Sequence, residues 1–517
     1  MTTEFFEKYS FKLRDREDLK KVIGGFPREK KVIMCHGVFD VVHPGHVRHL
    51  AYAKTKADIL IASITADKHI KKGTYRPHVP ERLRALNIAA FEMVDYVIID
   101  HNAKPLENIN YLQPDYFAKG FEYMGGGLPP ATQEEADLVE GYGGEMIFTP
   151  GDVVYSSSKL IDLAPPALQI EKLLSLMHSN GLSFDDLRKA VDQMKGFKVH
   201  VLGDTIVDSY TRTSLIGGQT KTPTFSVRYL GQDDYIGGAG IVCQHMRAAG
   251  AEVVFSTVLG KDRYADFVVK GLTEAGIDCK AIIDQTRPTT NKNAIIASGY
   301  RLLKVDTLDN RSISDTILEE LSETLKNTKS DAVVFSDFRH GIFNQLTVPV
   351  LTDAIPADVY KVADSQVASR WGNITEFKDF DLITPNEREA RFALADQDST
   401  VGSLAGSLMG ETGCRLLILK LGDRGVFATF PSSEEDGVTY FSIDSFARTV
   451  VDAVGAGDAL LAYATLSMLA TKNAVIAAIL GSFAAACECE YDGNIPVKPA
   501  DVLSRINQIE KTAGYGA

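Results

Sequence analysis

Two short stretches of this chain carry residue types that handle phosphate. In the first, Gly37 to His46 reads G-V-F-D-V-V-H-P-G-H and follows the apolar run Val32, Ile33, Met34, Cys35. A strand that turns and opens a helix leaves backbone N–H groups uncovered at the helix start. The rings of His43 and His46, three apart around Gly45, can face the same anion there. A nucleotide's phosphates are the expected anion. A lone His-x-x-His more often caps or packs, but a βα junction is where open α/β sheets bind ligands. The second stretch, Val451 to Asp458, reads V-D-A-V-G-A-G-D and opens a long apolar helix. Gly455, Ala456 and Gly457 would leave N–H groups uncovered as an anion hole, and Asp458 can take a proton from an attacking hydroxyl. A bland glycine-rich helix cap is the competing reading. No G-x-x-x-x-G-K-[ST] occurs, which removes a P-loop as the phosphate device.

The elements that must position these residues follow from hydrophobic patterning. The run Asp58 to Ile64 suits a parallel strand buried on both faces, and with the Val32 run it gives a βαβ unit. Further strands are expected at 94–99, 115–118 and 145–149, with a helix at 81–93, which makes a small doubly wound five-stranded sheet. Lys119 and Gly120 follow one of these strands, where a cation can reach phosphates; Arg76 and Arg82 are weaker candidates. Between Leu163 and Phe197 the pattern changes to A-P-P-A and amphipathic helices, with Ser183 as a cap. The domains are therefore expected at 1–163 and 198–517, with linker helices at 164–197. In the second, strands are expected at 198–202, 293–299, 332–336, 360–364 and 381–384, and β alternation at 222–235 leads to Gly237, Gly238, Ala239, Gly240.

Composition bounds the rest. A chain of 517 residues with 45% apolar and 24% charged content holds two or more globular domains, and a net charge of −13 argues against nucleic acid or an anionic membrane as the main partner. Six cysteines without C-x-x-C or metal spacing read as reduced thiols of a cytoplasmic protein. The first ten residues hold no signal-peptide core, and the run Ala474 to Cys487 is too short to span a bilayer, so it is expected as a buried helix.

The Gly37–His46 stretch resembles the signature of the cytidylyltransferase-like nucleotidyltransferases, G-x-F-D-x-x-H-x-G-H. That resemblance implies Gly37, Phe39, Asp40 and Gly45 in nucleotide binding and His43, His46 and Lys119 in catalysis. The run Tyr155, Ser156, Ser157, Ser158, Lys159 looks like the family's closing Ser-Thr-Thr motif, in which the hydroxyls meet the nucleotide. In the mechanism so implied, a sugar phosphate oxygen attacks the α-phosphorus of a nucleoside triphosphate while the two histidines and the lysine neutralise developing charge and magnesium holds the pyrophosphate.

Residues 198 to 505 resemble the ribokinase-like (PfkB) sugar kinases. This implies an α/β domain with a β lid, Asp458 as catalytic base, Gly455, Ala456 and Gly457 as the oxyanion hole, and Asn386 with Glu389 organising magnesium. Lys420, Gly422 and Gly425 would lie along ATP; Asp204, Asp208, Gly237, Gly238, Lys292, Asp306 and Asp337 would serve the sugar. Two departures bear on the substrate: Ile241 stands where such kinases have asparagine, and Ser365-Gln366 where the heptose branch has Pro-Lys. The two resemblances together are those of the bifunctional heptose 7-phosphate kinases and heptose 1-phosphate adenylyltransferases that make ADP-heptose, with the domains in the opposite order. They imply Mg2+ and ATP as cofactors, ATP or CTP at the first site, small-molecule substrates, and a homodimer or higher homo-oligomer. The alternatives are a CTP-dependent enzyme for another sugar or polyol of a surface glycan, and a regulator with one inactive site.

Overall fold

The computed structural model describes residues 8–70, 77–120, 129–149, 169–217, 225–366, 373–431, 438–491 and 493–515. It divides into two compact units, Met1–Ser175 with Ala513–Ala517, and Leu176–Thr512. Arg76 and the serine run Ser156, Ser157, Ser158 lie outside the described residues.

In the first unit, β1 (Val32–Gly37), β2 (Ile59–Thr65), β3 (Tyr96–Asp100), β4 (Tyr116–Gly120) and β5 (Glu145–Thr149) form a parallel sheet in the order β3-β2-β1-β4-β5. A parallel sheet must be covered on both faces, and β1 supplies both. Val32 and Met34 join Ile61, Ile98, Phe117, Ile109 and Val139 on one face; Ile33 and Cys35 join Leu60, Ala62, Leu50, Ala85 and Ile88 on the other. The strand order reverses between β1 and β4, and the crevice beyond the carboxyl ends of these two strands is where such sheets take ligands. The Gly37–His46 stretch leaves β1 at that point.

Among its described residues the second unit holds thirteen strands: β6 (Lys198–Gly203), β7 (Thr205–Gly217), β8 (Ser226–Gly238), β9 (Glu252–Leu259), β10 (Asp278–Ile283), β11 (Asn291–Ala297), β12 (Tyr300–Thr307), β13 (Ala332–Asp337), β14 (Tyr360–Ser365), β15 (Leu382–Ile383), β16 (Leu416–Lys420), β17 (Val426–Pro431) and β18 (Val438–Ile443). Nine form one sheet, β10-β9-β6-β13-β14-β15-β16-β17-β18, and four a separate lid sheet, β12-β11-β7-β8. The large sheet is parallel from β10 to β16, and β17 and β18 close it antiparallel. Sequence patterning anticipates β6, β8, β11, β13, β14 and β15 but not β9, β10, β12, β16, β17, β18 or β7. The inward positions of β7, among them Asp208 and Tyr210, are polar, so its alternation carries no hydrophobic signal.

The core of the large sheet is aromatic. Phe335 of β13 is fully buried and packs against Phe343, Phe377 and Phe380, with ring centroids 5.2, 6.4 and 5.6 Å away. The apolar run after Asp458 forms the helices Ala456–Thr471 and Ala474–Glu488, both deeply buried. Among the described residues no helix is long and apolar enough to cross a membrane. Replacing Phe335 by Ala should lower the unfolding free energy by about 3–5 kcal/mol, read as a shift of the urea midpoint. A loss below about 1 kcal/mol would show that this cluster does not hold the unit together.

Candidate functional site

At the end of β1 the chain turns through Phe39, a non-glycine residue at φ 49°. Its ring is 95% buried and sits beside His46, with centroids 5.2 Å apart. His43 caps the helix Pro44–Lys54: its Nδ1 accepts the Gly45 N–H at 3.1 Å, and His46 Nδ1 accepts the His43 N–H at 3.4 Å. The two rings lie close and tilted by 33°, with 3.9 Å between centroids. A Cβ on Gly45 would stand 2.7 Å from His43 Cε1, so only glycine lets this ring fold back on its own helix. With both Nδ1 atoms accepting, each neutral ring carries its proton on Nε2. Burial, with His43 and His49 adding, lowers the His46 pKa to about 4. His46 is therefore neutral near pH 7.

The other expected residues divide between structure and site. Asp40 Oδ1 accepts the N–H groups of His78 and Val79 at 2.8 and 2.9 Å, so its carboxylate braces a neighbouring segment. Arg82 is exposed, whereas Arg84, which the patterning misses, is fully buried. Arg84 donates to Val38 O, to Thr65 O and Val79 O at 2.8 Å each, and pairs with Asp67, stitching the ends of β1 and β2 together. Its signal was its place among the inward residues Ala85, Leu86 and Ile88, where a charge must find partners. Lys119 pairs with the buried Glu135 at 2.6 Å. It lies near His36, which bonds Ser63 Oγ at 2.9 Å and Thr65 Oγ1 at 3.2 Å and is lowered to about pKa 3 by burial and by Lys119. The apolar face of the sheet thus ends, at its carboxyl edge, in a buried polar layer.

In the second unit Gly455, at φ 88°, precedes the helix Ala456–Thr471, which has no side-chain cap. No side chain covers its first N–H groups, although the Ala456 N–H donates to Ala453 O at 3.4 Å. Asp458 is 6% exposed and its Oδ1 has no hydrogen-bond partner. Burial and Asp364 push its pKa up to about 8, while Lys420 pulls it down. Lys420 Nζ bonds both oxygens of Asp364, at 2.9 and 3.0 Å. A Cβ on Gly457 would lie 3.2 Å from that ammonium, so the missing side chain makes room for it. Lys420 also stands beside the Asn386 backbone in an isolated bridge. Asn386 and Glu389 form a reciprocal cap of the helix Glu387–Leu394, both Glu389 oxygens taking Asn386 N–H donors at 2.6 and 2.7 Å. Gly422 and Gly425, at φ 65° and 85°, shape the turn after β16.

On the sugar side the expected carboxylates are not equivalent. Asp204 Oδ2 is taken by the Phe338 and His340 N–H groups at 3.0 and 3.1 Å. Asp337 is locked by Ser365 Oγ at 2.6 Å and Arg339 at 2.9 Å. Asp208 is the one that shares the field of Asp458. It lies directly opposite Lys292 on the lid sheet, and Lys292 in turn opposite Asp306. Asn494, another residue that patterning misses, donates to Asp208 Oδ2 at 3.0 Å, and Gly237 lies against that carboxylate. Gly238, at φ 60°, is the cap residue of the helix Ala239–Ala248. The departures find physical places: Ile241 is fully buried in the core of that helix, and Ser365 supplies the hydroxyl that holds Asp337. Among the described residues no cluster of three His, Cys, Asp or Glu side chains could hold a metal ion.

Comparison with known proteins matches residues 198–501 to the pfkB family carbohydrate kinases and residues 34–162 to the cytidylyltransferase-like family. The chain is similar to the bifunctional protein HldE of Desulfatibacillum aliphaticivorans, 27% identical over 317 residues that cover 60% of this chain and 63% of that one. It is also similar to HldE of Syntrophotalea carbinolica, 38% identical over 142 residues, 27% of this chain and 28% of that one. These matches span less than two thirds of the relatives' length. Among solved structures, phosphofructokinase-2 of Escherichia coli in complex with substrates and products shares the fold, with a TM-score of 0.50 and 15% identity over 60% of this chain and 99% of that one.

The electrostatics of Asp458 can be read directly. In carbon-13 NMR of the aspartate carboxyls, the signal lost in Asp458→Asn should titrate near pH 8, and Lys420→Met should move it higher. A midpoint near the ordinary value of about 3.9 would refute the buried arrangement.

Proposed function

We propose, from the premise that the chain belongs to the pfkB family of carbohydrate kinases, that it is a bifunctional transferase: its second unit phosphorylates a sugar phosphate with ATP and its first joins a nucleotide to a sugar 1-phosphate. The best single assignment is a heptose 7-phosphate kinase and heptose 1-phosphate adenylyltransferase that makes ADP-heptose. The observation that carries it is the pairing, in one chain, of the uncapped Gly455–Gly457 turn beside Asp458 with the His43–His46 cap. The similarity to HldE proteins supports the heptose. A kinase product with two phosphates must lose one before the second step, so a separate phosphatase would act between them.

In the kinase, a hydroxyl of the sugar gives its proton to Asp458 as its oxygen attacks the γ-phosphorus of ATP. The N–H groups of Gly455, Ala456 and Gly457 would receive the charge on the transferring phosphoryl oxygens, and Lys420 would meet the same charge from the opposite side. Asp208, Lys292, Asp306, Gly237 and Gly238 would hold the sugar, while Asp204 and Asp337 would position the loop beneath it. The residues present suit a magnesium ion held on the triphosphate with its own waters, because Glu389 is already bonded within its helix cap and no protein cage exists among the described residues. Asn386 and Glu389 would orient those waters, and the ion would supply charge on the phosphates. In the nucleotidyltransferase, the Nε2–H groups of His43 and His46 and the ammonium of Lys119 would stabilise the α-phosphorus transition state. ATP is the expected nucleotide there. The site residues act within one polypeptide on small molecules, and a homo-oligomer joined through the lid sheet remains part of the reading.

Three outcomes test this. Incubated with ATP, CTP and a panel of sugar phosphates, the protein should consume ATP at both steps, followed as products by phosphorus NMR; strict use of CTP would overturn the ADP-heptose assignment. Asp458→Asn should lower phosphorylation by about 10²–10⁴-fold and leave nucleotidyl transfer intact, and His46→Ala should do the reverse. If either variant kept both activities, that residue's role would be withdrawn. Because Asp458 must be ionised to take a proton and its folded pKa is raised to about 8, kinase kcat/KM should climb with pH and level off above about pH 8.

A further inference from the structure

His340, which the reaction above does not use, lies in the field of Lys292, one of the residues assigned to the sugar. His340 is 6% exposed. Its backbone N–H is held by Asp204, and its Nδ1 faces Asn310 Oδ1 at 3.0 Å, so Nδ1 carries the proton and donates. Nε2 is then a lone-pair acceptor, buried and without a hydrogen bond. Buried polar atoms of folded proteins are almost all satisfied, so this acceptor calls for a donor from outside the chain.

Lys292 supplies the complementary half. Its charge is felt at His340 and at Asp204, Asp208 and Asp306, yet it makes no ion pair or hydrogen bond among the described residues. The strand register puts it between Asp208 on β7 and Asp306 on β12, on the lid face that carries the sugar carboxylate. An open acceptor on the edge of the large sheet and an open donor on the lid sheet match adjacent hydroxyls of a polyol, one giving a hydrogen bond and one receiving it. A neutral imidazole suits this task, because burial and the nearby ammonium hold it uncharged through the working pH range.

We propose that His340 reads a hydroxyl of the phosphoryl-accepting sugar through Nε2, with Lys292 of the lid sheet donating to the neighbouring oxygen. The proposal rests on the kinase reading but not on the identity of the sugar. Wild-type protein is first given ATP with aldoses, ketoses and their phosphates, and the best acceptor, whichever it is, is then offered in its monodeoxy forms. At one position, removal of the hydroxyl should cost the wild type roughly tenfold to a hundredfold in kcat/KM, the effect of a buried acceptor left unpaired. His340→Phe should show that loss already with the full sugar and little further loss with the deoxy form. His340→Gln, whose amide oxygen can accept, should recover part of the discrimination and keeps the test valid if the Phe variant does not fold. Unchanged discrimination at every position in His340→Phe would overturn the role of His340. A best acceptor other than a heptose phosphate would remove the ADP-heptose assignment and leave the His340 test standing, and a wild type that phosphorylates nothing in the panel would sink both.

Discussion

One buried ammonium organises the larger unit. Lys420, at the end of β16, pairs with both oxygens of Asp364 at the end of β14, lies over Gly457 at the start of one helix, and stands beside Asn386 at the start of another. Its field reaches Asp364, Glu389 and Asp458 together. Three carboxylates gathered in so dry a place would repel one another and stay protonated without a cation among them. The price of that gathering is a base whose pKa is lifted to about 8, high enough to hold a proton strongly and low enough to release it near neutral pH.

The smaller unit solves a similar problem with hydrogen bonds. Its two histidines spend their Nδ1 atoms on capping their own helix, and His46 is neutral; its cations are also committed, Lys119 to Glu135 and Arg84 to the carbonyls that end β1 and β2. An anion entering there meets directed N–H groups more than free charge. Such a site selects by geometry, because a donor fixed by a cap cannot swing to follow a misplaced phosphate.

How much of this could be read beforehand depended on how local each device is. The Gly37–His46 turn is contiguous, so strand, cap and donors were legible together, and the five-stranded sheet followed from apolar runs that match β1 to β5 closely. Asp458 and its glycine turn were legible for the same reason. The contacts of Asp204 with the backbone of Phe338 and His340, and of Asp337 with Ser365, were not, because these partners lie far away in sequence. Asn494 escaped because nothing in its spacing marks it, Arg84 because its place among inward apolar residues was not read as a buried charge, and β7 because its inward face is polar. The departure at Ser365 became intelligible only when its hydroxyl was seen holding Asp337.

Gly45 and Gly457 belong to unrelated units and open different helices, yet each is small for the same reason: a working side chain, the ring of His43 or the ammonium of Lys420, occupies the volume where a Cβ would be. These glycines are moulds. They record in the sequence the outline of a neighbouring group: an alanine at Gly45 would force the His43 ring to shift, and one at Gly457 would crowd the Lys420 ammonium. Motif glycines of this kind are an inverse image of the chemistry they border.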